Sequence, residues 1–226
     1  LGKLAHRGAD ALGLRTAAVG ILAEARQGHH DPEVRRAAVE AHGLVGRSLH
    51  GLRGHLDSLA ELAPSLRDEG PAVRAAAVAQ VASLAGLDGS PAAIAMATQL
   101  LQDPERIVRD AAVGAIEEIT ALGAGEAAMD AMRASLDRVL QEGVLHESEG
   151  GNAGACLATV QAVQRSAMLN DPVAVHICLD CADHADADVR LAVVGCLESR
   201  TKPGTWIASA TIALRLRDEI TEVRMR

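Results

Sequence analysis

The sequence predicts an all-α fold, a right-handed α-α superhelix (solenoid) of about five helix pairs plus a partial sixth. Three observations lead to this prediction. A short motif that begins with Val-Arg recurs along the chain, its small and apolar residues follow a helical period, and prolines stand where helices are expected to start. Repetition of this kind indicates a solenoid, in which each unit buries its apolar side against its neighbours.

Each copy of the motif is predicted to form one helix, which we call the motif helix. Complete or truncated copies start at Val34, Val73, Val108, Val189 and Val223, and a degenerate copy starts at Ala155, with Cys156 in place of the arginine. Small and apolar residues fall at offsets 0, 3, 4, 7 and 8 of a copy. These offsets describe one face of a helix and not the alternation of a strand.

A second helix is predicted before each motif helix. These helices are expected at residues 11–25, 52–62, 92–101, 127–140, 173–181 and 206–216. Prolines at or just before helix starts mark the boundaries, because a missing N–H costs nothing there; they are Pro32, Pro71, Pro91, Pro104, Pro172 and Pro203. Aspartates in the turns are expected to cap helices; they are Asp31, Asp103, Asp171 and Asp186.

The chain is therefore predicted to be a single repeat domain over residues 1–226. Its units span approximately residues 8–48, 49–87, 88–124, 125–168 and 169–201, with a partial unit at 202–226. The first residue is Leu1, and the chain ends just after the last copy of the motif begins. We expect it to be a fragment of a longer protein.

The segment Asp31-Pro32-Glu33-Val34-Arg35-Arg36-Ala37-Ala38-Val39 resembles the second helix of a HEAT repeat, of the short bacterial type also seen in phycobilin lyase subunits. The resemblance covers nearly the whole chain. It implies an armadillo-like helical solenoid and leaves the function open, because arrays of this kind serve many roles.

The resemblance also implies a ladder of ion pairs between adjacent repeats, formed by the turn aspartate and the motif arginine. The arginines would be Arg35, Arg74, Arg109, Arg190 and Arg224, and their respective partners Asp31, Asp68, Asp103, Asp186 and Asp218. Cys156 cannot form such a pair, so we expect the ladder to break in the fourth unit. The arginines would then hold the repeats together rather than bind a ligand.

Composition excludes several classes of function. The net charge is −8 and Trp206 is the only aromatic residue besides histidine, which opposes binding to nucleic acid or to an anionic membrane surface. We expect Trp206 to pack in the core. No apolar run reaches the roughly 18 residues that a bilayer span requires, and no signal pattern opens the chain. We expect no membrane insertion and a cytoplasmic or other intracellular location.

Two groups of residues could carry chemistry. Cys178, Cys181 and His184 step by three along a predicted helix and could ligate zinc, although packing of the cysteines as small apolar residues is the favoured interpretation. His146-Glu147 resembles the iron-binding dipeptides of HEAT-like deoxyhypusine hydroxylases, but it occurs once where such a centre needs several. No nucleophile elbow, Walker loop or zincin motif is present, so we expect no metal, no cofactor and no enzymatic activity.

One segment breaks the rhythm of the repeats. The fourth unit is longer than its neighbours, and the excess falls in residues 141–152. Insertions in solenoids lie on one face, often the binding face, so Glu142, His146, Glu147 and Glu149 are candidate binding residues. The alternative is a tolerated loop without function.

The sequence thus favours a non-catalytic scaffold or assembly subunit that presents an extended helical surface to a protein partner or a larger assembly. The alternative is a lyase-like or chaperone-like protein that holds a client protein and assists cofactor attachment. Cys178, Cys181 or His184 could then be functional.

Overall fold

The structure is a computed structural model that describes residues 17, 18, 20–48, 59–85, 91–145 and 152–225. All regular structure in these residues is helical, with no strand, which confirms the all-α class predicted from the sequence. Among the described helices, none combines the length and the hydrophobicity that a membrane crossing requires.

The helices are numbered in chain order. They are α1 (residues 20–28), α2 (Pro32–Ser48), α3 (residues 59–62), α4 (Pro71–Leu84), α5 (Pro91–Gln99), α6 (Arg106–Ile119), α7 (Gly125–Leu145), α8 (Ala153–Ser166), α9 (Pro172–Asp180), α10 (Ala187–Arg200), α11 (Trp206–Arg215) and α12 (Thr221–Arg224). Short 3₁₀ turns, Ala63–Arg67 and Leu100–Gln102, extend α3 and α5. A π turn at Thr120–Ala124 joins α6 to α7.

Turn residues set the helix starts. Four of the helices open on a proline, whose fixed φ is already helical. Asp171 caps α9, because its carboxylate accepts the N–H groups of Val173 and Ala174 at 2.8 and 3.1 Å. Asp31 and Asp186 cap α2 and α10 with one such bond each.

The helices form two layers. The six motif helices α2, α4, α6, α8, α10 and α12 form one layer, in which each helix packs against the next in chain order. Helices α5, α7 and α9 form a second layer against it, with α5 on α7 and α7 on α9. The core between the layers consists of alanine, valine, leucine, isoleucine, methionine and the four cysteines. These mostly small side chains let neighbouring helices approach closely.

The boundary of α7 differs from the sequence prediction. Helix α7 continues to Leu145, so Glu142 lies in a helix and not in a loop, as the high helix propensity of glutamine and glutamate favours. Gly123 lies in the π turn between α6 and α7, with φ at +103°, a conformation that only glycine adopts without strain.

Trp206 is 77% exposed, and the expectation that it packs in the core is wrong. It is the first residue of α11, which turns Ala208 toward the core. Two residues along a helix correspond to about 200° of rotation, so Trp206 faces away from that contact.

Candidate functional site at the interrupted arginine ladder

The motif helices share one starting register, which identifies the residue that replaces the arginine in the fourth unit. The backbone N–H of Arg74 bonds to the carbonyl oxygen of Gly70, four residues earlier, and that of Arg109 bonds to Glu105. In α8 the equivalent bond runs from Cys156 to Asn152 at 2.9 Å. Cys156 therefore occupies the arginine position.

Each rung of the ladder joins two successive units. Arg74 Nη1 donates to the backbone oxygens of Asp68 and Glu69, at 2.8 and 3.2 Å. Its Nε and Nη2 donate to the two carboxylate oxygens of Asp103, at 2.7 and 2.8 Å. The same bidentate contact joins Arg35 to Asp68 and Arg190 to Asp218. The guanidinium thus ties the turn before its own helix to the turn of the next unit.

The pairing differs from the sequence prediction, which gave each arginine the aspartate of its own turn. Arg35 does not pair with Asp31, and Arg190 does not pair with Asp186; these two carboxylates accept the N–H groups of Glu33 and Asp188. In each arginine, Nη1 donates to carbonyl oxygens of the turn before its own helix. This orients the edge formed by Nε and Nη2 toward the next unit. Arg224 bonds only to backbone oxygens and to Thr221 within the described residues.

Each aspartate of the ladder accepts hydrogen bonds both from an arginine side chain and from a backbone N–H group. Asp218 accepts the N–H of Ile220 at 3.0 Å and both bonds from Arg190. The hydrogen bonds from Arg190 outweigh burial and lower the pKa of Asp218 to about 2. Burial raises the pKa values of Asp68 and Asp103, but their arginine and backbone bonds outweigh it, so both pKa values are also lowered.

These lowered pKa values predict a specific pH dependence of stability. An unfolded aspartate has a pKa of about 3.9, so the ladder acids stabilise the fold fully above that pH. The contribution is lost as pH falls through the folded pKa, which for Asp218 is about 2. Urea midpoints should therefore fall steeply between about pH 4 and 2. The variant Asp218→Asn should lose part of this slope, and an unchanged slope would contradict the assignment.

The ladder is interrupted at Arg109. Its Nη1 bonds to the backbone oxygens of Asp103 and Pro104 at 2.8 and 2.7 Å, as in the other rungs. No carboxylate of the described residues lies within ion-pair distance of its Nε and Nη2 edge. The guanidinium instead lies against Gly154 at the start of α8, where a Cβ atom would be 2.8 Å from its Cζ and Nη2 atoms. Within the part of the chain that the structure describes, the edge that binds an acid in the other rungs therefore has no acid here.

The next rung is replaced on both sides. Asp68, Asp103 and Asp218 lie six residues before their own motif arginine, and His184 holds this position before Arg190. His184 Nδ1 accepts the N–H of Asp186 at 3.0 Å, and its Nε2 lies 3.0 Å from Asn152 Oδ1. Since Cys156 offers no charge, an aspartate at residue 184 would lack its arginine. Histidine retains the turn hydrogen bond without that cost.

A cavity of about 560 Å³ lies at the interruption, between α6, α8 and α10. We call it the ladder groove. Its polar lining residues are Arg106, Arg109, Asp110, Gln161, Gln164, Asp186 and Asp188, and Gly154 forms part of its wall. Basic side chains on α6 thus face acidic side chains at the start of α10. A second cavity of about 520 Å³ lies beside Arg35, where the guanidinium is already taken by Asp68 and Glu69.

The candidate binding residues of the long insertion fall mostly outside the described residues. His146, Glu147 and Glu149 are in that part of the chain, and Glu142 lies in α7. Ala153, which closely follows the insertion in sequence, lines the ladder groove.

The four cysteines form two pairs in the core. The thiol of Cys156 lies beside that of Cys181, and the thiol of Cys178 lies beside that of Cys196. The neighbouring thiol and burial raise the pKa values of Cys178 and Cys181, so both thiols stay protonated at neutral pH. Cys178, Cys181 and His184 therefore contact three different neighbours. In the part of the chain that the structure describes, no three histidine, cysteine, aspartate or glutamate residues are placed to hold a metal ion.

Burial of the cysteines predicts low thiol reactivity. All four are 1% exposed or less. In native protein they should react with Ellman's reagent only as slowly as the chain opens, and in denaturant all four should react at once. A thiol that reacts within the mixing time in native buffer would contradict this packing.

No protein-family model matches the chain, and no curated protein matches it.

Proposed function

We propose that this protein is a non-catalytic interaction scaffold, a right-handed solenoid of HEAT-like repeats that binds a partner protein along its motif helices. The observation that carries the proposal is the ladder groove. It lies on the layer of motif helices, where the ladder that joins the other units is interrupted and the Nε and Nη2 edge of Arg109 binds no carboxylate of the described residues.

The repeated motif and the contacts between its helices support the solenoid. Each motif helix packs on the next, and bidentate rungs join successive units at the same helix end. A structure built from such nearest-neighbour contacts offers an extended surface, on which binding sites arise by local change in single units.

The chemistry of the groove supports binding rather than catalysis. Its described lining residues are arginine, aspartate, glutamine, alanine, leucine and glycine. They include no serine, cysteine, histidine or lysine that could serve as nucleophile or as base near neutral pH. A lyase-like role finds no support in these contacts, because Cys178 and Cys181 are buried and His184 is bonded to its neighbours.

Peptide selection tests the proposal. A phage-displayed library of random peptides is selected on the immobilised protein, and the enriched peptides are measured by calorimetry. We expect the variant Gln161→Trp, which fills the groove from α8, to weaken their binding at least tenfold. The matched variant Gln99→Trp, at an exposed position on α5, should bind as the wild type does. Failure to enrich any peptide, or equal binding by both variants, would contradict the proposal.

A further inference from the structure

We propose that the ladder groove recognises a carboxylate, an aspartate or glutamate side chain of the bound protein, which binds the Nε and Nη2 edge of Arg109 as the ladder aspartates bind the other arginines. This inference rests on the proposed function and names the chemistry of its partner.

The other rungs show how the site would bind. Arg35, Arg74 and Arg190 each hold one carboxylate through Nε and Nη2, at distances of 2.7 to 2.9 Å. In all three, Nη1 is fixed by two backbone oxygens of the preceding turn.

Arg109 has the same anchoring through Nη1, and among the described residues no carboxylate binds its Nε and Nη2 edge. Its guanidinium is therefore already oriented for an acid, and little side-chain freedom is lost on binding. The planar fork matches the two oxygens of a carboxylate, so the contact would be bidentate.

The surroundings of Arg109 admit an anion. Gly154 brings the backbone of α8 against the guanidinium without a side chain in between. The side chain of Asn152, at the N-cap of α8, makes no capping bond, so the first N–H groups of this 14-residue helix add a positive potential at the same end of the groove.

The far wall restricts which anion can bind. Asp186 and Asp188 lie at the start of α10, and Asp110 lies beside Arg106 on α6. These charges repel a polyanion or a dianionic phosphate, while a single carboxylate can remain on the Arg109 side. A basic residue of the same peptide would form an ion pair with Asp188. We therefore infer a partner segment of mixed charge.

Arginine side-chain NMR tests the inference without a known partner. The Nε–H signals of the protein are followed while sodium acetate replaces sodium chloride at constant ionic strength, and the variant Arg109→Lys assigns the signal of Arg109 by its loss. We expect a saturable shift of that signal. The signals of Arg35, Arg74 and Arg190 should stay in place, because their edges are occupied. A parallel titration with inorganic phosphate should give a weaker effect.

A pair of glycine variants tests the geometry while keeping the charge. Gly154→Ala adds a Cβ that would lie 2.8 Å from Cζ and Nη2 of Arg109, which forces the guanidinium to move. We expect at least tenfold weaker binding of acidic peptides obtained by selection. Gly114→Ala, on α6, meets no atom within 4 Å and should leave binding unchanged.

Four results would overturn the inference. Acetate could leave the Nε–H signal of Arg109 unshifted while the selected peptides still require the groove. This result would refute the carboxylate site but not the proposed scaffold. Phosphate could shift the signal more than acetate does. The Gly154 and Gly114 variants could bind alike. The double variant Glu147→Gln, Glu149→Gln could move the Arg109 signal in ligand-free protein, which would mean that the chain's own acid fills the site.

A shift of the Arg109 signal with acetate, together with a failure to select any peptide, would support the carboxylate site and refute the proposed function.

Discussion

Replacing Asp103 with alanine is expected to lower the free energy of unfolding by about 3 to 5 kcal/mol, the usual range for removing one partner of a buried ion pair. The change leaves the guanidinium of Arg74, whose side chain is 12% exposed, without a counter-charge. It also removes the acceptor for the N–H of Glu105. Urea denaturation followed by circular dichroism at pH 7 measures the loss.

Asp110→Ala is the matched control for this prediction. Asp110 lies on the adjoining helix and pairs with Arg106 at 3.5 Å, but both side chains are exposed. An exposed pair four residues apart contributes about 0.3 to 0.5 kcal/mol, so the control should lose little. Similar small losses in both variants would mean that the ladder does not stabilise the stack of motif helices.

Ile116→Ala is expected to destabilise the protein by about 2 to 5 kcal/mol through lost burial and the cavity that remains. Ile116 is 1% exposed on α6, a helix that contacts α4, α5 and α8. A cavity there weakens both layers at once. The measurement is again the urea midpoint with its slope, which separates a change in stability from a change in the unfolded state.

The same helix provides the control for Ile116. Ile107 is 57% exposed, and its replacement by alanine removes little buried surface while improving helix propensity. Its free energy of unfolding should stay within about 0.5 kcal/mol of the wild type. A larger loss at Ile107 than at Ile116 would show that α6 is rotated relative to the structure described above.

The motif helices could be predicted from sequence because most of them combine a buried valine with an arginine at a fixed position near the start of the helix. Val108 is buried and Arg109 follows it at the first helical N–H, and the same pair recurs at Val73 and Val189. The offsets that identify the buried face depend only on helix geometry. Even the degenerate copy at Ala155 keeps this register, so its position was predictable without the arginine.

The partners of the arginines could not be predicted in the same way. The choice between the aspartate of the same turn and that of the next turn depends on where Nη1 bonds, and no spacing reports it. A sequence signal does exist for the interruption. The residue six positions before the motif arginine is aspartate at Asp68, Asp103 and Asp218, whereas Gly150 precedes Cys156 at this distance.

Contacts between segments that are distant along the chain could not be predicted from the sequence either. Cys178 and Cys181 suggest a pair when read along the chain, yet each lies beside a cysteine of another helix. Side chains three residues apart on a helix point about 60° apart, and packing decides which neighbour each one meets. The groove residues Gln161 and Asp188 converge for the same reason.

A crystal structure of the protein with a selected peptide would test the proposed scaffold and its binding site together. We predict that the peptide lies in the ladder groove and that one of its carboxylates accepts hydrogen bonds from Nε and Nη2 of Arg109, at about 2.7 to 2.9 Å. A peptide bound on the layer of α5, α7 and α9, with the edge of Arg109 still empty, would contradict both proposals.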